Sequence, residues 1–134
     1  SVTYFSSNKV LDYNFGITSY TPPATLYFAL STTSPDISGS SFTEPSSGAY
    51  ARVGLVNNKT NWGTAASGTL TNSTAVTFAE STASWGTIVA VGMFDALTSG
   101  NLLWYDSLSP SRTVASATTV LFAIGSITVQ FNNT

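Results

Sequence analysis

The chain has 134 residues, with no histidine, no cysteine, four basic and six acidic side chains, and a net charge of −2. This length is typical of one domain, and we expect a single domain over residues 1–134. The composition excludes a Ser-His-Asp triad, a thiolate nucleophile and the usual Cys/His zinc site. We therefore expect no enzyme activity, no catalytic residues, no cofactor and no metal site.

The composition also bears on possible partners. Charged residues make up 7 % of the chain, against about 25 % in an ordinary domain. So little charge gives little repulsion between copies, which favours self-association. The basic residues are scattered along the chain, whereas nucleic acid binding needs a basic stripe, and no apolar run is long enough to cross a bilayer. We expect neither a nucleic acid nor a membrane partner.

The first segment with a predicted structure is a helix at residues 6–16. A serine can cap its start, Leu11 and Phe15 lie four residues apart, and Gly16 suits its end. Such a short helix is stable only when it packs on a larger body. We expect residues 1–20 to form an N-terminal arm and this helix.

After the helix, the alternation of apolar and polar residues is typical of strands. Leu26, Phe28 and Leu30 predict one face of the first strand, opposite Tyr27, and residues 85–94, apolar on both faces, predict a central strand. The predicted strands are residues 24–30, 49–56, 70–80, 85–94, 102–108, 112–114, 118–124 and 126–131.

The connections between these strands complete the predicted fold. Two long loops, 31–48 and 57–68, are rich in turn residues, and Thr-Ser-Gly-Asn at 98–101 indicates a hairpin. Pro110 is expected to end the strand before it. Short strands at this spacing predict an all-β fold, an antiparallel β-sandwich or jelly roll over residues 21–131, with one short N-terminal helix.

Two groups of residues are candidates for function. The carboxylates of Asp36 and Glu44, or of Asp95 and Asp106, could form the acid pair of a glycosidase, although turn capping and surface solvation are commoner roles. Aromatic side chains in the arm and loops are the second group; they form either a partner or sugar-stacking surface, or a satellite core under the loops. We expect partner contacts at Ser1, Val2, Thr3, Tyr4, Phe5, Phe42 and Trp62.

Several short sequence segments occur in the same order as in a known family of proteins. They are Tyr20-Thr21-Pro22-Pro23-Ala24-Thr25-Leu26-Tyr27, Gly48-Ala49-Tyr50-Ala51-Arg52-Val53, Ala83-Ser84-Trp85-Gly86-Thr87, Phe94-Asp95-Ala96, Gly100-Asn101-Leu102-Leu103 and Thr113-Val114-Ala115-Ser116. In this order they resemble small virion proteins of tailed bacteriophages, often labelled phage tail fibre proteins. The resemblance covers residues 10–131, and Trp104-Tyr105-Asp106-Ser107 departs from it.

The resemblance implies a structural virion protein. A fibre shaft is built from coiled coils, β-helical repeats or collagen-like triplets, and this chain has none of them. We therefore expect a capsid decoration, or cement, protein that binds the major capsid protein or other virion proteins as a homo-oligomer, with a trimer favoured. The alternative is a tail or fibre-tip component that recognises a host receptor or glycan. Deleting residues 1–7 is expected to weaken virion binding and leave the sandwich folded.

Overall fold

The computed structural model describes residues 1–131, which fold into one helix and eight strands. The last three residues of the expected domain, 132–134, lie outside the described residues. The helix α1 spans Tyr4–Asn14. The strands are β1 (Thr25–Ser31), β2 (Val53–Val56), β3 (Thr69–Thr71), β4 (Val76–Thr77), β5 (Gly86–Phe94), β6 (Leu102–Val114), β7 (Leu121–Phe122) and β8 (Thr128–Gln130).

Every strand pair is antiparallel, which confirms the predicted fold class. The main sheet has the order β2-β1-β5-β6, and two small two-stranded sheets, β3-β8 and β4-β7, accompany it. The main core packs side chains of the four-stranded sheet against Val76, Phe78 and Ile127. The result is a sandwich with one short helix at its N-terminal end. Among the described residues, no helix combines the length and apolar character that a membrane span requires.

The two central strands follow the predicted pattern. In β1, Leu26, Phe28 and Leu30 belong to the main core, whereas Ala29 belongs to a second cluster that also contains Phe94. Successive side chains of a strand point to opposite faces, so this alternation places the second cluster on the other side of the main sheet. That side is covered by the long loop 31–48, whose Phe42 packs edge-on against Phe94 at 5.1 Å between ring centroids.

Several predicted strand boundaries were wrong, and in three cases a side chain or a bulge is the reason. The predicted strand 49–56 begins only at Val53, since the side chain of Tyr50 turns inward to bond other segments. The predicted strand 70–80 divides into β3 and β4 at Asn72, which is buried and hydrogen-bonds Thr74, Ala123 and Ile127.

Pro110 does not end β6. Residues 108–111 form an irregularity between the register pairs Ala90↔Ser107 and Ile88↔Arg112. Proline cannot donate a ladder hydrogen bond, and a bulge in an edge strand is one of the places where none is needed. β6 is the edge strand of the main sheet, so it continues to Val114.

The N-terminal segment pairs with this edge strand and is not a free arm. Val2 forms a bridge with Trp104, the Thr3 amide donates to Leu103 O at 3.1 Å, and the Tyr105 amide donates to Ser1 O at 3.0 Å. The segment thus covers part of the β6 edge and leads directly into α1.

A pair of buried tryptophans allows a matched stability test. Trp85 Nε1 donates to Gly48 O at 2.9 Å, whereas Trp62 Nε1 has no hydrogen-bond partner among the described residues, although both rings are buried. We expect Trp85→Phe to lower the free energy of unfolding by about 1 kcal/mol more than Trp62→Phe, because only Trp85→Phe removes a hydrogen bond. Urea unfolding of the two variants measures the difference; equal losses would contradict it.

Candidate assembly surface

The helix α1 carries the largest group of exposed apolar side chains in the described part of the chain. Every residue of α1 stays at least partly exposed. Phe15 is 78 % and Ile17 is 84 % exposed, directly after the helix. We define the α1 surface as Tyr4, Leu11, Tyr13, Phe15 and Ile17, all of which are more than half exposed. Exposed apolar groups of this kind mark contacts with other proteins.

Local interactions hold α1 in place at its first turn. Thr3 is the N-cap, its hydroxyl oxygen accepts from the Ser6 amide, and the same hydroxyl donates to Leu102 O at 2.6 Å. Phe5 packs against the main core, while residues 10–19 are exposed. The helix is therefore anchored at its start, and its C-terminal half is exposed.

The end of α1 is shaped by an unusual backbone at Ile17. The Phe15 amide donates to Leu11 O, Gly16 has φ 121°, and Ile17 has φ 54°. A β-branched residue rarely adopts this left-handed conformation, which costs of order 1 kcal/mol or more. The domain therefore keeps a strained, solvent-exposed isoleucine that contributes nothing to its core. Its exposure makes Ile17 a candidate contact residue.

Lys9 lies on the flank of α1. Its Nζ is 5.5 Å from the ring centroid of Phe5 and 5.6 Å from that of Tyr20. Cations at this distance from aromatic rings are weakly attracted to them. These contacts connect α1 to the segment that follows it.

An apolar groove of about 460 Å³ opens beside the first half of α1. It lies between the main sheet and the β3-β8 sheet, and the loop 57–62 forms part of its rim. The residues that line it are Val2, Ser6, Val10, Leu26, Asn57, Asn58, Lys59, Trp62, Leu70, Met93, Leu103, Trp104, Val129 and Phe131. This size and lining suit an apolar side chain or a small apolar ligand.

A smaller cleft of about 350 Å³ opens beside the second half of α1. It is lined by Lys9, Val10, Tyr13, Asn14, Tyr20 and Pro22. Val10 lines both the groove and the cleft. The two depressions therefore adjoin each other along one side of the helix.

The residues predicted to contact partners do not form one surface, and those at the start of the chain differ in their surroundings. Ser1, Val2 and Thr3 pair with β6, and Thr3 is fully buried. Tyr4 is exposed on α1, and Phe5 packs against the main core. Their positions make the start of the chain a structural support for α1.

The two loop aromatics differ from the expectation of exposed side chains. Trp62 is only 5 % exposed and belongs to the main core, although it lines the groove. Phe42 is partly buried in the second cluster against Phe94. Both correspond to the alternative of aromatic packing under the long loops.

Two of the four candidate carboxylates, Asp36 and Asp95, stabilise loop structure. Asp36 Oδ1 accepts from the hydroxyl and amide of Ser38, and the hydroxyl holds the pKa of Asp36 below its usual value. Asp95 accepts from the amide and side chain of Asn101 in the β5–β6 hairpin. A glycosidase acid needs a raised pKa, the opposite of the shift at Asp36. The described residues also contain no group of three or more metal-binding side chains.

Glu44 belongs to a partly buried network with Arg52 and Tyr50. Both carboxylate oxygens of Glu44 accept from the Arg52 guanidinium at 2.9 Å, and the Tyr50 hydroxyl donates to Glu44 Oε1 at 2.7 Å. Burial raises the pKa of Tyr50 well above its ordinary value, so its hydroxyl stays protonated and remains a donor. Arg52 also donates to Ala96 O and Ser99 O. The network ties the long loop 31–48 to the β5–β6 hairpin.

Sequence reasoning missed most of the α1 surface. The spacing of Leu11 and Phe15 predicts the stripe by which the helix packs on the body, yet both side chains are exposed. The available signal was that residues 10–17 contain more large apolar side chains than one packed stripe requires. A helix that is apolar on more than one face has a second surface to bury.

Comparison with known proteins identifies the family. No curated protein matches the chain in sequence. The model of the family described as "Podophage GP4 fiber I protein gp80" matches residues 1–130, nearly the whole chain. This match agrees with the resemblance to phage tail fibre proteins and gives no support to the cement type. The chain therefore belongs to the podophage GP4 fiber I protein gp80 family and is a structural protein of a bacteriophage virion.

Proposed function

We propose that this protein is a non-enzymatic component of a phage tail fibre and that it joins its neighbours in the virion through the α1 surface. The observation that carries the proposal is the exposure of this surface on a chain of a fibre protein family. The proposed partners are other virion proteins, including further copies of the chain. The proposal supplies a reason for five large apolar side chains that the core does not use.

The size of the α1 surface supports an assembly role. A fully exposed aromatic side chain presents about 200 Å², so at their observed exposures Tyr4 and Phe15, which share one side of α1, together present roughly 270 Å²; Tyr13 lies on the opposite side. Leu11 and Ile17 enlarge this area. Specific protein interfaces bury about 800 Å² on each partner, of which such a patch supplies a large part. The low charge of the chain leaves little repulsion to oppose the contact.

The capsid-decoration role expected from the sequence is not supported by the family match, which favours the tail. Capsid decoration is therefore a hypothesis, and the location and copy number of the protein in purified virions test it. The carboxylates that a glycosidase would use already have other partners. Glu44 forms an ion pair with Arg52, and Asp36 accepts a hydrogen bond from the Ser38 amide. The absence of enzyme activity is accordingly part of the proposal.

A second candidate function is recognition of a host glycan at a fibre tip. The cleft beside α1 favours it, because it combines two tyrosines with the amide of Asn14 and the ammonium group of Lys9. Sugars commonly stack on aromatic rings and bond to such polar groups. Binding of the purified protein to host cells, lost in Tyr13→Ala, would support this function.

The location and copy number of the protein in purified virions test the proposal. We expect immunogold labelling at the tail and, by quantitative mass spectrometry, far fewer copies than of the major shell protein. Antibody against the shell protein serves as the control for labelling. Label spread over the capsid, with a copy number near that of the shell protein, would contradict the fibre role and support decoration.

A further inference from the structure

The groove beside α1 has the dimensions of a site for a small ligand. Its volume of about 460 Å³ falls within the range of about 300–1,000 Å³ that is usual for ligand pockets. The surface that it exposes is far smaller than the roughly 800 Å² that each partner buries in a protein interface. None of the five residues of the α1 surface lines it. A small molecule therefore fits the groove better than a folded partner does.

The inner part of the groove is apolar and held in place by two sheets. Leu26, Met93 and Leu103 come from three neighbouring strands of the main sheet, β1, β5 and β6. Leu70 and Val129 come from the paired strands β3 and β8. Backbone hydrogen bonds fix the strands that carry these side chains, so the cavity is largely formed before any ligand binds. Such a cavity suits a hydrocarbon chain.

Most polar groups of the groove come from one short segment. Three of the four polar residues that line it, Asn57, Asn58 and Lys59, are consecutive in the loop after β2. Lys59 is exposed, and it is the one charged side chain among the described residues that line the groove. Its Nζ donates to Gly63 O at 2.8 Å, which uses one of the three donors of an ammonium group. This segment therefore favours a ligand with an anionic end.

The groove is also lined by a residue with an unsatisfied donor. Trp62 is 5 % exposed, and its indole Nε1 is buried without a hydrogen-bond partner among the described residues. Buried donors in native proteins nearly always have a partner, which can be a bound water or ion. Nε1 has almost no exposed surface, so a ligand oxygen reaches it only if the indole shifts on binding. A shift of this kind changes tryptophan fluorescence.

We propose that the groove binds a single-chain amphiphile with an anionic head, such as a medium-chain fatty acid. The hydrocarbon chain lies in the apolar part of the groove, and the head lies at residues 57–59 beside the ammonium group of Lys59. Burial of the chain supplies the affinity, and the ammonium group selects the charge of the head. The site goes beyond the proposed fibre role and does not depend on it, because it is tested on the purified protein alone.

A series of chain lengths tests the apolar part of the site. Hexanoate, octanoate and decanoate are titrated into the protein below their micelle concentrations, and binding is followed by calorimetry and by tryptophan fluorescence. Trp62 and Trp104 both line the groove and report on it. We expect the affinity to rise about fourfold for each added CH₂ group, as the burial of a methylene predicts. No binding of decanoate, or an affinity that does not depend on chain length, would overturn the proposal.

Two lysine variants test the charged end. Lys59→Met keeps most of the side-chain length and removes the charge, so it should weaken decanoate binding about fivefold and leave decanol binding unchanged. Lys9→Met, at a lysine that does not line the groove, is the matched control and should bind decanoate like the wild type. Equal effects of the two substitutions on decanoate would overturn the placement of the head.

A blocking variant tests the location. Ser6→Phe places a large side chain in the groove from α1 and should weaken decanoate binding at least about 10-fold, whereas Asn8→Phe, at an exposed position of α1 outside the groove, should have no effect. Circular dichroism establishes that each variant is folded, and Val10→Phe replaces Ser6→Phe if the latter unfolds. Wild-type affinity in a folded blocking variant would overturn the proposal.

Co-sedimentation with vesicles of phosphatidylcholine and phosphatidylglycerol distinguishes a free amphiphile from a lipid within a bilayer. We expect no co-sedimentation, because the basic residues of the chain are scattered and form no patch for an anionic membrane. Binding to vesicles in the absence of decanoate binding would overturn the proposal.

Discussion

Arg52→Ala is expected to lower the free energy of unfolding by about 2–3 kcal/mol, because it removes a buried guanidinium and its hydrogen bonds and leaves the partly buried carboxylate of Glu44 unpaired. The Arg52 side chain is 6 % exposed. Its guanidinium stacks on Phe94, with Cζ 3.8 Å from the ring centroid. The substitution removes two bonds to Glu44 and the bonds to Ala96 O and Ser99 O. Guanidine unfolding followed by tryptophan fluorescence measures the loss.

A double-mutant cycle shows whether the ion pair is responsible. Once Glu44→Ala has removed the carboxylate, Arg52→Ala no longer leaves an unpaired charge, so we expect a coupling energy of about 1–3 kcal/mol. The control is Lys59→Ala at an exposed cation, which should change stability by no more than about 0.5 kcal/mol. Additive losses in the cycle would mean that packing of the Arg52 stem, and not its pairing, stabilises the loop.

Thr3→Val is expected to lower the free energy of unfolding by about 2 kcal/mol. The substitution keeps the shape of a fully buried side chain but removes its bonds to Leu102 O and Leu103 O, and also the N-cap of α1. A buried carbonyl without its partner and a lost cap each cost about 1 kcal/mol or more. Thermal unfolding by circular dichroism measures the effect. Thr87→Val, at an exposed position of β5, is the matched control and should be nearly neutral.

The same contacts change the outcome expected for deleting residues 1–7. The sequence alone suggested that the sandwich would stay folded. In the structure this deletion removes the pairing with β6 and uncovers Trp104, so it should destabilise the domain more than Thr3→Val does. A deletion variant that melts at the wild-type temperature would contradict this expectation. Contact between the segment and other virion proteins remains a prediction.

Much of the fold could be predicted because strand patterns are local. The alternation of Leu26, Phe28 and Leu30 follows from the pleat of a strand, and it was enough to orient β1. The apolar run ending at Phe94 identified the central strand, and Gly100-Asn101 located the hairpin that follows it. Each of these features depends on neighbours within a few residues.

The candidate site could not be predicted in the same way. Leu11 and Phe15 have the spacing of a packed helix stripe, and the sequence contains no sign of which side of α1 meets the body. That side is set by Thr3 and Phe5, through contacts with residues about a hundred positions away in β6 and in the core. The groove likewise exists only because strands distant in sequence come together beside α1.

The amino-acid sequence alone therefore established the all-β class, the central strands and the resemblance to phage fibre proteins. The tertiary structure alone showed that Trp62 is a core residue, that Ser1, Val2 and Thr3 complete a sheet edge, and that Tyr4, Leu11 and Tyr13 of α1 face solvent. The physical reason is the range of the interactions. Side-chain alternation reports the pleat of a single strand, whereas burial depends on which distant segments come to cover a residue.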